Sequence, residues 1–261
     1  ADVIALVIHD SLVYSLGSYS NIFDEKLVDL VFTGHAHIED NKRVNGIPVL
    51  QTTGNGKQIM EVEATYNFDL KKFTVDKTSL VEASYISSFN EDVAMRALFS
   101  EYETEINEVK NEVIGTLSSD IDQSGLANLA NQRMHSYAVS KAYPNIVAVH
   151  NLGGVRVKSI KSGEITYGQI YQAFPFDNEV MLIEGVSGAT VKSYIRSNPF
   201  YIAGGENIKD YETYTIVTID YLSVSEYSNI KDKVQIHTGE YVRELIADYF
   251  RDTGVIDGSS Y

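Results

Sequence analysis

"DLVFTGHAH", residues 29–37, runs from apolar, strand-type residues into a glycine and two histidines one residue apart. Strand ends are where α/β sheets present chemistry, and neutral imidazole is the commonest side-chain metal ligand. His9 closes an earlier apolar run, Val3 to Ile8, so a third imidazole stands at a strand end. If the two strands are parallel neighbours, which a helical crossover between them favours, His9, His35 and His37 share one sheet edge. Residues two apart on an extended chain point to opposite sides, so His35 and His37 need not share one ion and could serve two about 3.5–4 Å apart. Gly34 reads as the residue that permits the turn presenting them. Taken alone, His-x-His is more often a loop pair than a metal site.

The rest of the composition bounds the alternatives. The chain has 261 residues, 44% of them hydrophobic, enough for the core of one large domain or two smaller ones. Its 36 acidic and 21 basic side chains give a net charge of −15, a field that repels polymeric nucleic acid and anionic membranes while leaving room for a local anion site. There is no cysteine, which excludes disulfides, thiolate ligands and a cysteine nucleophile, so any metal must be held by nitrogen and oxygen. No apolar run reaches membrane-spanning length, and no basic-then-apolar leader is present in the chain. "ADVIALVIHD" opens directly on a buried-type strand, which reads as a start inside a domain.

Residues 1–87 alternate between strand and helix and end in hairpins. A short helix in "NIFDEKLVDL" precedes the histidine strand, and "IPVLQTT", "QIMEVEATYN" and "KKFTVDKTSLVEA" are strands punctuated by Asn45-Gly46, Gly54-Asn55-Gly56 and 67–70. From Ser88 the period changes. Met95, Phe99, Tyr102, Ile106, Val109 and Val113 fall on one face of a helix, expected to pack on a core, with a coiled-coil dimer seam as the alternative, and with Ser88 and Glu91 at capping-box spacing and Gly115 as its stop. Beyond it, helices are expected over 126–141 and 165–173, the latter with Thr166 as a possible start. "SGATVKSYI", capped by Ser187, and 240–250 are two more. The strands between are "NIVAVH", "EVMLIEGV" and "YTIVTIDYL".

In "NLGGVR", Gly153 and Gly154 let backbone N–H groups approach a ligand, and Arg156 offers a fork of donors for carboxylate or phosphate. On its own, that tetrad is more often a structural turn. "DLVFTGHAH" with "VNGIPVLQTTGNGKQIMEVEATYN" behind it resembles the closing segment of the calcineurin-like metallophosphatase domain in the 5'-nucleotidase family. "NLGGVR" followed by "SGEITYGQIYQAFPFDNEVMLIEGVSGATVKSYI" resembles the C-terminal substrate-binding domain of the same family.

The resemblance implies a mixed α/β (α+β) chain in three parts. These are the remnant of a metallophosphatase β-sandwich at 1–87, a long connecting helix at 88–115 and a substrate-binding domain at 116–261. It implies His9, His35 and His37 as ligands to two divalent ions, zinc, manganese or similar. The family's Asp-x-His and Gly-Asn-His-Asp/Glu motifs, which complete the site and supply the catalytic histidine, do not occur in the chain, so no catalytic residue is assigned and the chain alone is expected to be inactive. It implies Asn151, Gly153, Gly154 and Arg156 at the phosphate and sugar, Phe176 and Tyr221 as a base-stacking clamp, and Asn178 on the base. After Leu222 the family's Gly-Gly-Asp-Gly-Tyr is replaced by "SVSEYSN", and in "SSDIDQSGLANLANQRM", where the family commonly has substrate-binding arginines, none precedes Arg133, which lies inside a helix. The implied function is removal of phosphate from nucleotides or related phosphoesters, outside the cytoplasm or at the cell surface; the alternative is a non-catalytic ligand-binding or surface-interaction module. His135, His150 and His237 read as structural or solvent-facing.

Overall fold

The computed structural model describes residues 2–10, 19–196, 200–224 and 229–261, without side chains for 200 and 201. The chain divides into two compact units, Ala1–Ala97 and Leu98–Tyr261.

In the first unit, β1 (Ala5–Val7), β2 (Leu30–Phe32), β3 (Asp40–Val44) and β4 (Ile47–Gln51) form one sheet in the order β1-β2-β4-β3. β1 and β2 are parallel, with Val7 opposite Phe32, as the crossover argument expects. Asn45 and Gly46 both take positive φ, 49° and 88°, the turn that closes β3 onto β4 with the twist a hairpin needs. "IPVLQ" is buried throughout, and Val31, Ile47 and Val49 pack on Phe23 of the short Ser20–Asp24 helix. β5 (Gln58–Asn67) and β6 (Lys72–Glu82) make a separate antiparallel pair.

The expected long helix runs Val93–Lys110. Asp92 caps it, its carboxylate accepting from the Met95 N–H at 2.9 Å, whereas the Ser88 hydroxyl donates to the Tyr85 carbonyl at 2.6 Å. Val113 and Gly115 belong to the next strand, and none of the helix's residues is buried, so its apolar stripe does not pack on a core as periodicity alone suggests.

In the second unit, β7 (Val113–Ser119), β8 (Ile121–Asp122), β9 (Ile146–Asn151), β10 (Ser159–Ile160), β11 (Gly163–Thr166), β12 (Glu179–Ser187), β13 (Phe200–Ala203), β14 (Thr213–Ile219), β15 (Ile236–Tyr241) and β16 (Val255–Asp257) form three sheets. The largest has the order β13-β9-β14-β12-β15. Ala148, Val180, Leu182 and Val217 enter one core with Leu126, Leu129 and Met134 of the Gln123–Ser140 helix. The alternate residues Val147, Val149, Met181, Ile183 and Ile216 enter another with Val191 and Tyr194 of the Gly188–Arg196 helix. Both faces are covered, which is why these strands read as unbroken apolar runs.

Three expected boundaries shift, two of them through local capping. Asp122 accepts from the Gly125 N–H at 2.8 Å and starts its helix at Gln123. Thr166 caps Tyr167–Ala173 in a capping box with Gln169, leaving Ile165 in β11. Glu240 is in β15, and the last helix is Val242–Thr253.

Ser187 caps its helix as expected, its hydroxyl accepting from the Thr190 N–H at 3.3 Å. The glycine after it is sterically required: a Cβ on Gly188 would lie 2.1 Å from the Lys209 carbonyl oxygen, and main chain cannot step aside as a flexible side chain does. Gly188→Ala is therefore expected to cost at least about 1–3 kcal/mol, the range for overpacking a filled interior, measured as a lower denaturant midpoint.

Candidate functional site

His9, two residues past β1, and His35, three past β2, meet at the same end of the parallel pair. Their rings lie 5.3 Å apart, edge to face. His37 points elsewhere within the first unit: its ring lies against Gly54, where a Cβ would approach to 2.9 Å, so the 54–56 turn makes room for it. The sharp turn is taken by the histidines, with φ 69° at His35 and 54° at His37, and not by Gly34 as the sequence suggests. A non-glycine residue in the left-handed region is uncommon, and two within three residues mark a loop held by its surroundings. Among the described residues, no three His, Asp or Glu side chains converge closely enough to hold an ion.

The second unit gathers its candidates by strand register. Val180 is opposite Ile219, so Asn178, just before β12, and Tyr221, in the short Asp220–Ser223 helix just after β14, lie at the same end of the antiparallel pair. β14 is parallel to β9, with Val217 opposite Ala148, which brings Asn151 and the loop after it to the same end. Asn151, Gly153, Gly154, Arg156, Phe176, Asn178 and Tyr221 thus border one edge of the sheet. Residues 225–228 of the divergent "SVSEYSN" stretch lie outside the described residues.

Within that edge, Arg156 is exposed, has no ion-pair partner among the described residues, and holds its guanidinium 5.0 Å from the centre of the Phe176 ring. Its backbone N–H donates to the Ala173 carbonyl at 2.8 Å, tying "NLGGVR" to the end of the Tyr167–Ala173 helix. Phe176 is 42% and Tyr221 64% exposed, so both rings are open to a ligand. The main-chain carbonyl of Asn178 accepts from the Val242 N–H at 3.1 Å. Arg133, inside its helix as expected, sits 3.7 Å over the Tyr249 ring.

Sequence reasoning undervalued two residues here. His150, read as structural or solvent-facing, is fully buried, and its ring approaches the Asn151 main chain without hydrogen-bond geometry, so neither nitrogen has a partner. Asn151 Oδ1 is buried and unpartnered too, and Gly154 is buried where a Cβ would strike the His150 ring at 2.6 Å. The other residue is Arg243, nearly buried at the start of the last helix; an arginine on the first turn of an amphipathic helix is the signal that marks it. His237, by contrast, is exposed and bonds Glu179 at 2.8 Å.

Residues 105–201 match the family described as 5'-nucleotidase, C-terminal domain. The chain is 27% identical over 195 residues to the endonuclease YhcR of Bacillus subtilis, covering 72% of this chain and 15% of that protein. It is 26% identical over 203 residues to the cell wall protein Lmo0130 of Listeria monocytogenes, covering 67% and 25%. The chain therefore spans a quarter or less of these relatives' length. The fold is shared with the 5'-nucleotidase precursor from Thermus thermophilus, at a TM-score of 0.68 and 16% identity, over 88% of this chain and 57% of that one. The matched residues include every candidate ligand contact of the second unit except Tyr221.

Burial pushes the His150 imidazole down to about 4 from an ordinary 6.5. A lowered folded-state value means that the unfolded chain takes up the proton first, so stability falls as pH drops from about 6.5 to 4, by up to about 3 kcal/mol. In thermal melts across that window, His150→Leu is expected to flatten the acid-side fall relative to the parent chain. Parallel curves for the two proteins would refute the assignment.

Proposed function

We propose that this chain is the nucleotide-binding portion, with part of the metal centre, of a two-metal phosphoester hydrolase that removes phosphate from nucleotides. The observation that carries this reading is the convergence of Asn151, Arg156, Phe176, Asn178 and Tyr221 on one sheet edge of a 5'-nucleotidase C-terminal domain. The guanidinium of Arg156 would take the phosphate, the Asn178 side chain would read the base edge, and the Phe176 and Tyr221 rings would stack on the base, a contact worth roughly 1–3 kcal/mol. Residues 1–87 are then the closing portion of the metallophosphatase domain, 88–115 the connecting segment and 116–261 the substrate-binding domain.

The contact between the His9 and His35 rings fits one part of a coordination shell, and an all-nitrogen set suits zinc. These two, with His37, would hold the ions together with ligands from outside the chain. Bound metals supply a water of lowered pKa and a clamp on the phosphate. The relatives' printed names agree in part: an endonuclease breaks phosphoester bonds, and a cell wall protein lies outside the cytoplasm, which supports an extracytoplasmic setting. The name of the Listeria protein also favours the second reading, a non-catalytic ligand-binding module at the cell surface. Hydrolysis of AMP by the full-length protein with zinc or manganese separates the two.

Calorimetry of the 261-residue chain with adenosine and AMP tests the pocket. Binding is expected, with affinity for AMP falling about tenfold or more in Phe176→Ala. The absence of binding heat with both ligands, or an unchanged affinity in the variant, would count against this function.

A further inference from the structure

We infer that Arg243 is the positioning residue of the aromatic site, holding residues 174–178 so that Phe176 and Asn178 are presented at the sheet edge; this rests on the reading of Phe176 as a stacking ring. Arg243 comes from the last helix, far along the chain, yet its guanidinium brackets Phe176 on both sides. Nη1 donates to the Phe174 carbonyl at 3.2 Å and Nη2 to the Asp177 carboxylate at 2.7 Å. The preceding residue adds a third tie, the Val242 N–H to the Asn178 carbonyl at 3.1 Å. Three points of restraint, at 174, 177 and 178, leave Phe176 as the exposed crest of a fixed loop.

The remaining contacts fix the guanidinium itself. Nε donates to the Tyr167 hydroxyl and to Glu244, both at 3.3 Å. The Tyr167 hydroxyl in turn donates to Glu244 at 2.5 Å, and the plane lies 4.4 Å from the centre of the Tyr171 ring. The Arg243 side chain is only 9% exposed, whereas its partner Asp177 is 75% exposed. An ion pair with so wet a partner adds little to stability. Its geometric effect is larger, because a planar fork fixes two acceptors at once and an ammonium does not. The Tyr167–Glu244 pair serves Nε, so the bonds from the two terminal nitrogens to 174 and 177 are the part that bears on the ligand loop.

The test is a double-mutant cycle on the whole chain, read by calorimetry with AMP. Arg243→Lys is expected to weaken AMP about tenfold in the parent and by less than about twofold in Phe176→Ala, since its effect runs through that ring. Asp177→Asn, at an exposed position, is expected to weaken AMP in the same direction with little change in melting temperature. It carries the cycle if Arg243→Lys does not fold. Equal losses with and without Phe176 would overturn the inference and leave Arg243 as a structural residue. A parent chain that binds no AMP would instead overturn the reading of Phe176 on which this one stands.

Discussion

Two strand registers control the second unit. Val180 opposite Ile219 and Val217 opposite Ala148 bring one end of β9, the same end of β14 and the start of β12 together. Because side chains alternate at period two, a slip of one residue in either pair would exchange the two cores of the sheet, sending Val147 and Val149 to the side of Ala148. Burial on both faces therefore fixes the register, and the register fixes which residues share an edge. The candidate ligand contacts come from segments as far apart as 151 and 221, and no local propensity relates them.

That edge is built from loops restrained from outside. "NLGGVR" is tied to the Tyr167–Ala173 helix through Arg156, and "FPFDN" to the last helix through Arg243 and Val242. Both loops so gain definition from helices that carry no ligand contact. A rigid pair of loops loses less freedom when a ligand arrives, which favours affinity without further contacts.

Much of this was legible in sequence. Strand-type runs such as "NIVAVH" and "EVMLIEGV" occur where they are expected, because apolar continuity reports burial on two faces. The parallel pairing that brings His9 to His35 follows from a short crossover. What sequence could not give was set by single polar contacts: Asp122 extends a helix by three residues, and Thr166 with Gln169 turns Ile165 into a strand residue. The stripe from Met95 to Val109 is periodic but unburied, since periodicity says which residues share a face and not whether anything covers it. His150 was similarly opaque, for a lone histidine after a strand carries no sign that its nitrogens will be left without partners.

The left-handed backbone at His35 and His37 carries a further consequence. Among side chains that can ligate a metal, histidine is one of the few that enters this region without a large steric penalty, alongside asparagine and aspartate. Loop geometry and ligand chemistry therefore ask for the same residue at both positions. Asparagine or glycine in place of either histidine would remove the imidazole and leave the loop its shape. Valine or isoleucine would remove both together, so only the first pair of replacements can separate what these rings do from how the chain turns beneath them.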